Sequence, residues 1–467
     1  MEWIQSLRDS FPPDCWSNRA EELDYYSQDA WPMAIKLAQM GQRPFRPEVV
    51  FHARFPQQVP KLLVWAGGHR VPVTVWGAGS DVVGAALPAH GGILLDVSGL
   101  NKILTLDKTS LFVKVGAGLL GGALEAELAK NGFTLHHSPQ SLERSTVGGW
   151  VAMRACGQFS SRWGGIEDLV LAVTVALANG DVVSTPLAPR AALGPDLKSV
   201  FIGSEGTLGV ILDVTLRIFP VPEHCRLESL CFPSLQAGLT GMRMLMQSGL
   251  QPFLARLYDA DESPNVARWS GSAFPSEGNL FLLGFEGLHH VVEAEASAGM
   301  DILRSQGATR LGPEISQGWM ENRLDFSAVE NRLHSPGGLA ETIEVAHFWI
   351  GILDLYQALK NNLLPLAGEV LGHFSHAYPQ GVSLYMILLG QVPDAAAAAS
   401  RLAEIWDTAM RTSLDCGAAI SHHHGIGLAR QAYLREALGA SYAVLERIKR
   451  ALDPQGLLNP GKLAFRR

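Results

Sequence analysis

The chain has 467 residues, of which 47% are hydrophobic and 18% charged; this is the make-up of a globular protein with a sizeable core, and the length points to two lobes. Its 37 basic and 45 acidic side chains leave a formal charge of −8 with no basic run, which excludes a general attraction to nucleic acid. Five scattered cysteines, at 15, 156, 225, 231 and 416, without a CxxC pair, argue against a disulfide framework or a zinc knuckle and fit a reducing, cytoplasmic setting.

No apolar stretch reaches the roughly 18 residues of a membrane-spanning helix. Residues 1 to 42 read as a helical segment wrapped on the main body. In it Trp3, Ile4, Leu7 and Phe11 share one side of a short helix, read as docked on the protein's own core, with peripheral membrane contact as the lesser alternative. Val71 to Trp76, Ile93 to Val97 and Leu111 to Val115 are β-prone. Leu120, Leu124 and Leu128 recur every four residues before Gly132, which marks a helix and its stop. Leu169 to Leu177 is a further strand, and Asn179-Gly180 predicts a type I′ hairpin turn into Val182-Val183. Val210 to Ile218 closes this α+β region. From about Pro222 a second α+β lobe follows, with strands at Leu280 to Gly284 and Val382 to Leu389, a helix over Ala395 to Met410, and a break at Ser335-Pro336-Gly337-Gly338.

Three loops rich in small residues and hydroxyls suit close backbone wrapping of a ligand. They are Trp76-Gly77-Ala78-Gly79-Ser80-Asp81-Val82, then Gln140-Ser141-Leu142-Glu143-Arg144-Ser145-Thr146 running into Val147-Gly148-Gly149, and Gly203-Ser204-Glu205-Gly206-Thr207-Leu208-Gly209 before Val210-Ile211. The first lacks the third glycine of GxGxxG, and taken alone it is equally a tight turn.

In this order the loops resemble those of the vanillyl-alcohol oxidase and para-cresol methylhydroxylase superfamily. The resemblance implies an FAD-binding domain over residues 43 to 222 and an α+β cap, or substrate, domain over 223 to 420, with residues 421 to 467 returning to the flavin. It implies that the three loops, with Met153-Arg154-Ala155-Cys156, hold FAD. The first loop contains neither His nor Cys, so the flavin is expected to be noncovalent.

Ser421-His422-His423-His424-Gly425, Gly164-Gly165-Ile166-Glu167-Asp168, Arg256-Leu257-Tyr258-Asp259 and Asp453-Pro454 resemble the landmarks of the alkylglycerone-phosphate synthases. That likeness implies exchange of the acyl chain of an acyl-dihydroxyacetone phosphate for a fatty alcohol through a flavin N5 adduct, in a homodimer. It assigns catalysis to Tyr385, His137, Arg256, His422, His423 and His424, and phosphate binding to Arg332 or its competitor Arg323. A tyrosine beside cations or imidazoles has a lowered pKa and can pass a proton. On an extended segment His422 and His424 face one way and His423 the other, so at most two of them address one ligand. Two other readings stand beside this one. The first is an FAD-dependent oxidase or dehydrogenase of a 2-hydroxy acid; there a His-x6-His pair and a Glu hold a metal, but Ser383 and His423 occupy two of the three positions, so no metal is expected. The second is a flavin-containing binding protein without turnover. The end Phe465-Arg466-Arg467 is not a Ser-Lys-Leu address.

Overall fold

The computed structural model describes residues 2 to 465; Met1, and Arg466 and Arg467 of the carboxyl-terminal tripeptide, lie outside them. The β-prone runs pair into three main sheets. In the first, Val49–His52, Ile93–Asp96 and Val73–Trp76 run parallel, and Trp16–Ser17, a strand that the reading of residues 1 to 42 missed, pairs antiparallel at the edge. Parallel strands are covered on both faces, and Val49, Val50, Phe51, Ile93, Leu94 and Leu95 are wholly buried. The helix Glu2–Ser10 docks on this core: Leu7 is buried and Trp3, Ile4 and Phe11 pack against the same cluster.

The second sheet is antiparallel, in the order Ile103–Asp107, Phe112–Gly116, Val210–Arg217, Val170–Ala176, Val182–Ser184. Beside it the helix Gly121–Lys130 buries Leu124 and Leu128, whereas Leu120 is its extended N-cap and is exposed. Gly132, at φ +82°, ends the turn that follows. The hairpin at Asn179-Gly180 is not type I′. Only Gly180 has a positive φ, +88°; its N–H donates to Leu177 C=O, and Asn179 Oδ1 accepts from Asp181 N–H at 3.0 Å. That side-chain bond closes the turn on Asn179 and leaves the left-handed conformation to the glycine alone.

The third sheet has seven strands in the order Thr309–Gly312, His224–Phe232, Asn279–Gly287, Leu254–Tyr258, Glu369–Ala377, Gly381–Gln391, Gly338–Phe348, every adjacent pair antiparallel. Helices Leu235–Gln247 and His289–Ser305 lay Leu239, Met242, Leu245, Val292, Ala296 and Leu303 against Leu230, Phe232, Phe281 and Phe285. Each large apolar side chain so buried contributes about 1.5–3 kcal/mol. The expected helix runs on to Asp415 as Ala395–Asp415, and the Ser335 break separates the helix Ser327–His334 from the strand Gly338–Phe348. After the third sheet the chain returns to the first. Leu458 bridges Val73, and Asn459 Nδ2 donates to the carbonyls of Ala85 and Glu205. The architecture is α+β, and among the described residues no helix is long and apolar enough to cross a membrane.

Candidate active site

A cavity of about 880 Å³ is walled by residues of all three sheets. All of Trp76 to Val82 line it. Gly79 has φ +66°, and a Cβ there would stand 2.1 Å from the Trp76 ring; a Cβ on Gly77 would stand 2.4 Å from Thr146 Oγ1. The first loop therefore folds against its own Trp76 at Gly79, and touches the second loop at Gly77, only because these residues lack side chains. Asp81 Oδ2 closes the first loop by accepting the N–H groups of Val83 and Ala85. Gln140, Ser141, Arg144, Ser145, Thr146, Met153, Ala155, Cys156, Glu205, Gly206, Gly209 and Ile211 share the wall. Small residues and exposed backbone along a cavity of this size fit FAD.

Six residues carried over with the loops lie off that wall. Leu142 is in the core and Glu143 faces solvent. Arg154, left-handed at φ +56°, turns away to pair with Glu167 at 3.0 Å. The Thr207 hydroxyl donates to Ser204 C=O, and strand alternation sends Leu208 and Val210 into the core while Gly209 and Ile211 face the cavity. Gly79→Ala combines left-handed strain of about 1–3 kcal/mol with the Trp76 clash. We expect roughly ten- to hundredfold weaker FAD binding, read as flavin retained per chain after dialysis.

The opposite wall is one face of the third sheet. Antiparallel register sets Tyr258 opposite His373, His373 opposite Tyr385, and Tyr385 opposite Glu344, a row across four strands. The His373 and Tyr385 rings stack at 5.0 Å and 14°. Arg256 Nη2 donates to His373 Nε2 at 2.8 Å, and a guanidinium can only donate, so the His373 proton sits on Nδ1 and is given to Glu262, 3.1 Å away. Arg256 Nε also donates to the Tyr258 hydroxyl, and its guanidinium lies over Trp319. Arg323 lines the cavity too; its buried Nε has no hydrogen-bond partner among the described residues. Arg332 sits exposed on the helix Ser327–His334 and does not reach the cavity, so of the two arginines carried over it is the competitor, Arg323, that faces the site.

The three histidines do not alternate along an extended segment, because the chain wraps around one carboxylate. Glu344, wholly buried, accepts the N–H groups of His422, His423 and His424 and the Ser421 hydroxyl, and pairs with buried Arg430 at 2.9 Å. Burial alone would raise its pKa, but the Arg430 charge holds the carboxyl well below its usual range. The wrapped turn puts His423 and His424 on the main cavity and His422, again with His423, on a second one of about 810 Å³. The His423 ring lies parallel to Tyr385 at 6.1 Å. Burial lowers His422 and His423 to about 3 and His424 to about 4, so all three are neutral imidazoles near pH 7.

His137 is buried against Trp150, its ring nitrogens without hydrogen-bond partners among the described residues, and it does not line the cavity. The expected lowering of the Tyr385 pKa is reversed. Burial, with Glu344 and Glu341 nearby, pushes the phenol up, so it is a proton donor at neutral pH. His376, 46 residues from His422 in sequence, joins the turn: one ring nitrogen each of His376, His422 and His423 lies within 4.8 Å of the other two. His376 Nδ1 is bonded to Ser160 Oγ at 2.6 Å, the Nδ1 atoms of His422 and His423 to each other at 2.9 Å, and the His376 ring stacks on that of His422 at 5.0 Å.

Two carboxyls at the edges of the site titrate unusually high. Burial pushes both Glu205, which accepts from the Ile426 and Gly427 N–H groups, and Glu341, which accepts from the Trp406 indole, up to about 7. The ordinary value is 4.5. Between these two values the fold holds protons that the unfolded chain has lost, so stability falls as pH rises from 4.5 towards 7. Glu341→Gln is expected to flatten that fall by about 1 kcal/mol per pH unit, measured as urea midpoints at pH 5 and 7.

Comparison with known proteins bears on this geometry. The FAD binding domain model matches residues 47–186, and the model for FAD linked oxidases, C-terminal domain, matches residues 221–463. An alkyldihydroxyacetonephosphate synthase of Caenorhabditis elegans is 30% identical over 463 residues, 91% of this chain and 77% of the relative. An uncharacterized FAD-linked oxidoreductase of Escherichia coli (strain K12) is 28% identical over 436 residues, 89% of each chain. A solved alkyldihydroxyacetonephosphate synthase superposes with a TM-score of 0.82 at 22% identity, covering 99% of this chain and 85% of that one. With the first two small-residue loops inside one matched range and the cap and triple-histidine turn inside the other, the chain belongs to the FAD-linked oxidases, an enzyme family whose cofactor is FAD.

Proposed function

We propose that the enzyme exchanges the acyl chain of an acyl-dihydroxyacetone phosphate-like substrate for a fatty alcohol. The observation that carries this reading is that Arg256, Arg323, Tyr385, His423 and His424 face the same cavity as the flavin loops. Arg256 and Arg323 suit a phosphate as charge-assisted donors. Bound noncovalently, the flavin supplies an electrophilic ring position that can carry the substrate carbon without net redox change. The substrate's C–O bond to the acyl group breaks as the raised Tyr385 phenol gives its proton to the departing oxygen, and the fatty acid leaves; a new C–O bond forms to the alcohol, whose proton passes to a neutral imidazole of His423 or His424 and from there back to Tyr385, so that no proton is gained or lost overall.

A second reading is oxidation of a 2-hydroxy acid. It is supported by the likeness to an FAD-linked oxidoreductase and by the same arginines, which would bind a carboxylate equally well. The test mixes the holoenzyme with acyl-dihydroxyacetone phosphate and labelled hexadecanol. Label in an ether product is the expected result. No label, together with anaerobic bleaching of the flavin by D-lactate or another 2-hydroxy acid, would replace the transfer reading with the oxidative one.

A further inference from the structure

Away from the cavity, the first strand of the third sheet and one of its helices gather three metal-ligand side chains. His289 and Glu293 stand four residues apart at the start of the helix His289–Ser305, which sets them on one face. His224 opens the neighbouring strand His224–Phe232; its Nε2 is 3.1 Å from Glu293 Oε1 and its ring 4.5 Å from that of His289. One ligand atom of each lies within 4.8 Å of the other two. We propose that His224, His289 and Glu293 bind a zinc ion through two imidazoles and a carboxylate, with water completing the coordination.

The surroundings hold the donors as a metal site requires. Arg226 Nη1 donates to Glu293 Oε2 at 2.6 Å, which leaves Oε1 towards the imidazoles, and Arg226 is itself fixed by Glu228. Arg310 also binds Glu228, and Glu223 Oε1 accepts the His289 N–H. Three carboxylates against two guanidiniums leave this corner negative, so a dication is drawn to it. The corner lies where the chain, having left the strand Phe219–Pro220, enters the third sheet. A cation there ties that passage to the helix, so occupancy stabilises the cap.

The test uses tag-free, chelator-treated, FAD-loaded protein and zinc chloride alone. Expected are one zinc per chain in equilibrium dialysis with elemental counting, a melting temperature raised by zinc, and loss of both in His289→Ala. That residue is exposed, so its removal leaves flavin content unchanged as a check on folding. Glu293→Gln is expected to weaken zinc at least about tenfold. Absence of stoichiometric zinc in the unaltered protein overturns the proposal. So does undiminished zinc in His289→Ala, which would place the ion at His376, His422 and His423 instead.

Discussion

Glu344→Gln is expected to cost about 3–5 kcal/mol of stability and to abolish turnover. The substitution keeps the shape but leaves Arg430, wholly buried, without its counter-charge, and breaking a buried pair on one side is costlier than never having had it. It also places an amide N–H₂ among donors. Three backbone N–H groups and the Ser421 hydroxyl converge on two carboxylate oxygens, and an amide offers only one acceptor atom to them. The turn would open, and with it the placing of His423 and His424. Urea unfolding of the holoenzyme measures the loss. Removing Arg430 as well should recover part of it, because the pair then disappears together; Arg430 also holds Gly425 C=O and lies over Trp406, so recovery is incomplete. A single-variant loss below about 1 kcal/mol would show that Glu344 does not organise the turn.

Glu344 also shows what the sequence could and could not reveal. The flavin loops were legible because their function is written in consecutive small residues, and the third-sheet strands Leu280 to Gly284 and Val382 to Leu389 because apolar residues run together there. Alternation along the second of these even sets Tyr385 on one face. What stayed hidden depends on register between distant strands. His373 and Glu344 flank Tyr385 only because Glu369–Ala377 and Gly338–Phe348 pair on either side of it, and no local pattern specifies that pairing. Two glutamates, Glu341 and Glu344, set in a strand among Leu339, Ala340, Ile343 and Val345 were the available signal, since an unpaired buried carboxylate is too costly to be incidental. The assumption that three consecutive histidines alternate failed for the same reason: their conformation answers to Glu344, not to local propensity. Arg323 against Arg332 was undecidable from spacing, as both stand near helix ends a few residues apart and only burial separates them.

Tyr385→Phe is expected to lower turnover by about 10²–10⁴ while stability and FAD content stay close to those of the parent. The change removes one oxygen and leaves the ring, so the stack on His373 and the parallel contact with His423 persist. The hydroxyl is the group whose proton the chemistry can use. Its neighbours oppose ionisation: burial first, then the carboxylates Glu344 and Glu341, against which Arg256 and a hydrogen bond to Thr342 work only partly. A phenol so placed stays protonated across the neutral range. The parent rate should therefore show no descending limb due to tyrosine below its ordinary pKa of 10.0, and the variant's pH profile should keep the parent's shape at a lower level. Were the phenol instead the ionised base that imidazole neighbours first suggest, the parent rate would rise with pH through the tyrosine pKa and the variant would lose that rise. Rates of both proteins between about pH 6 and 10 separate these outcomes, and a loss smaller than tenfold at every pH would remove Tyr385 from the proton path and leave His423 and His424 to carry it alone.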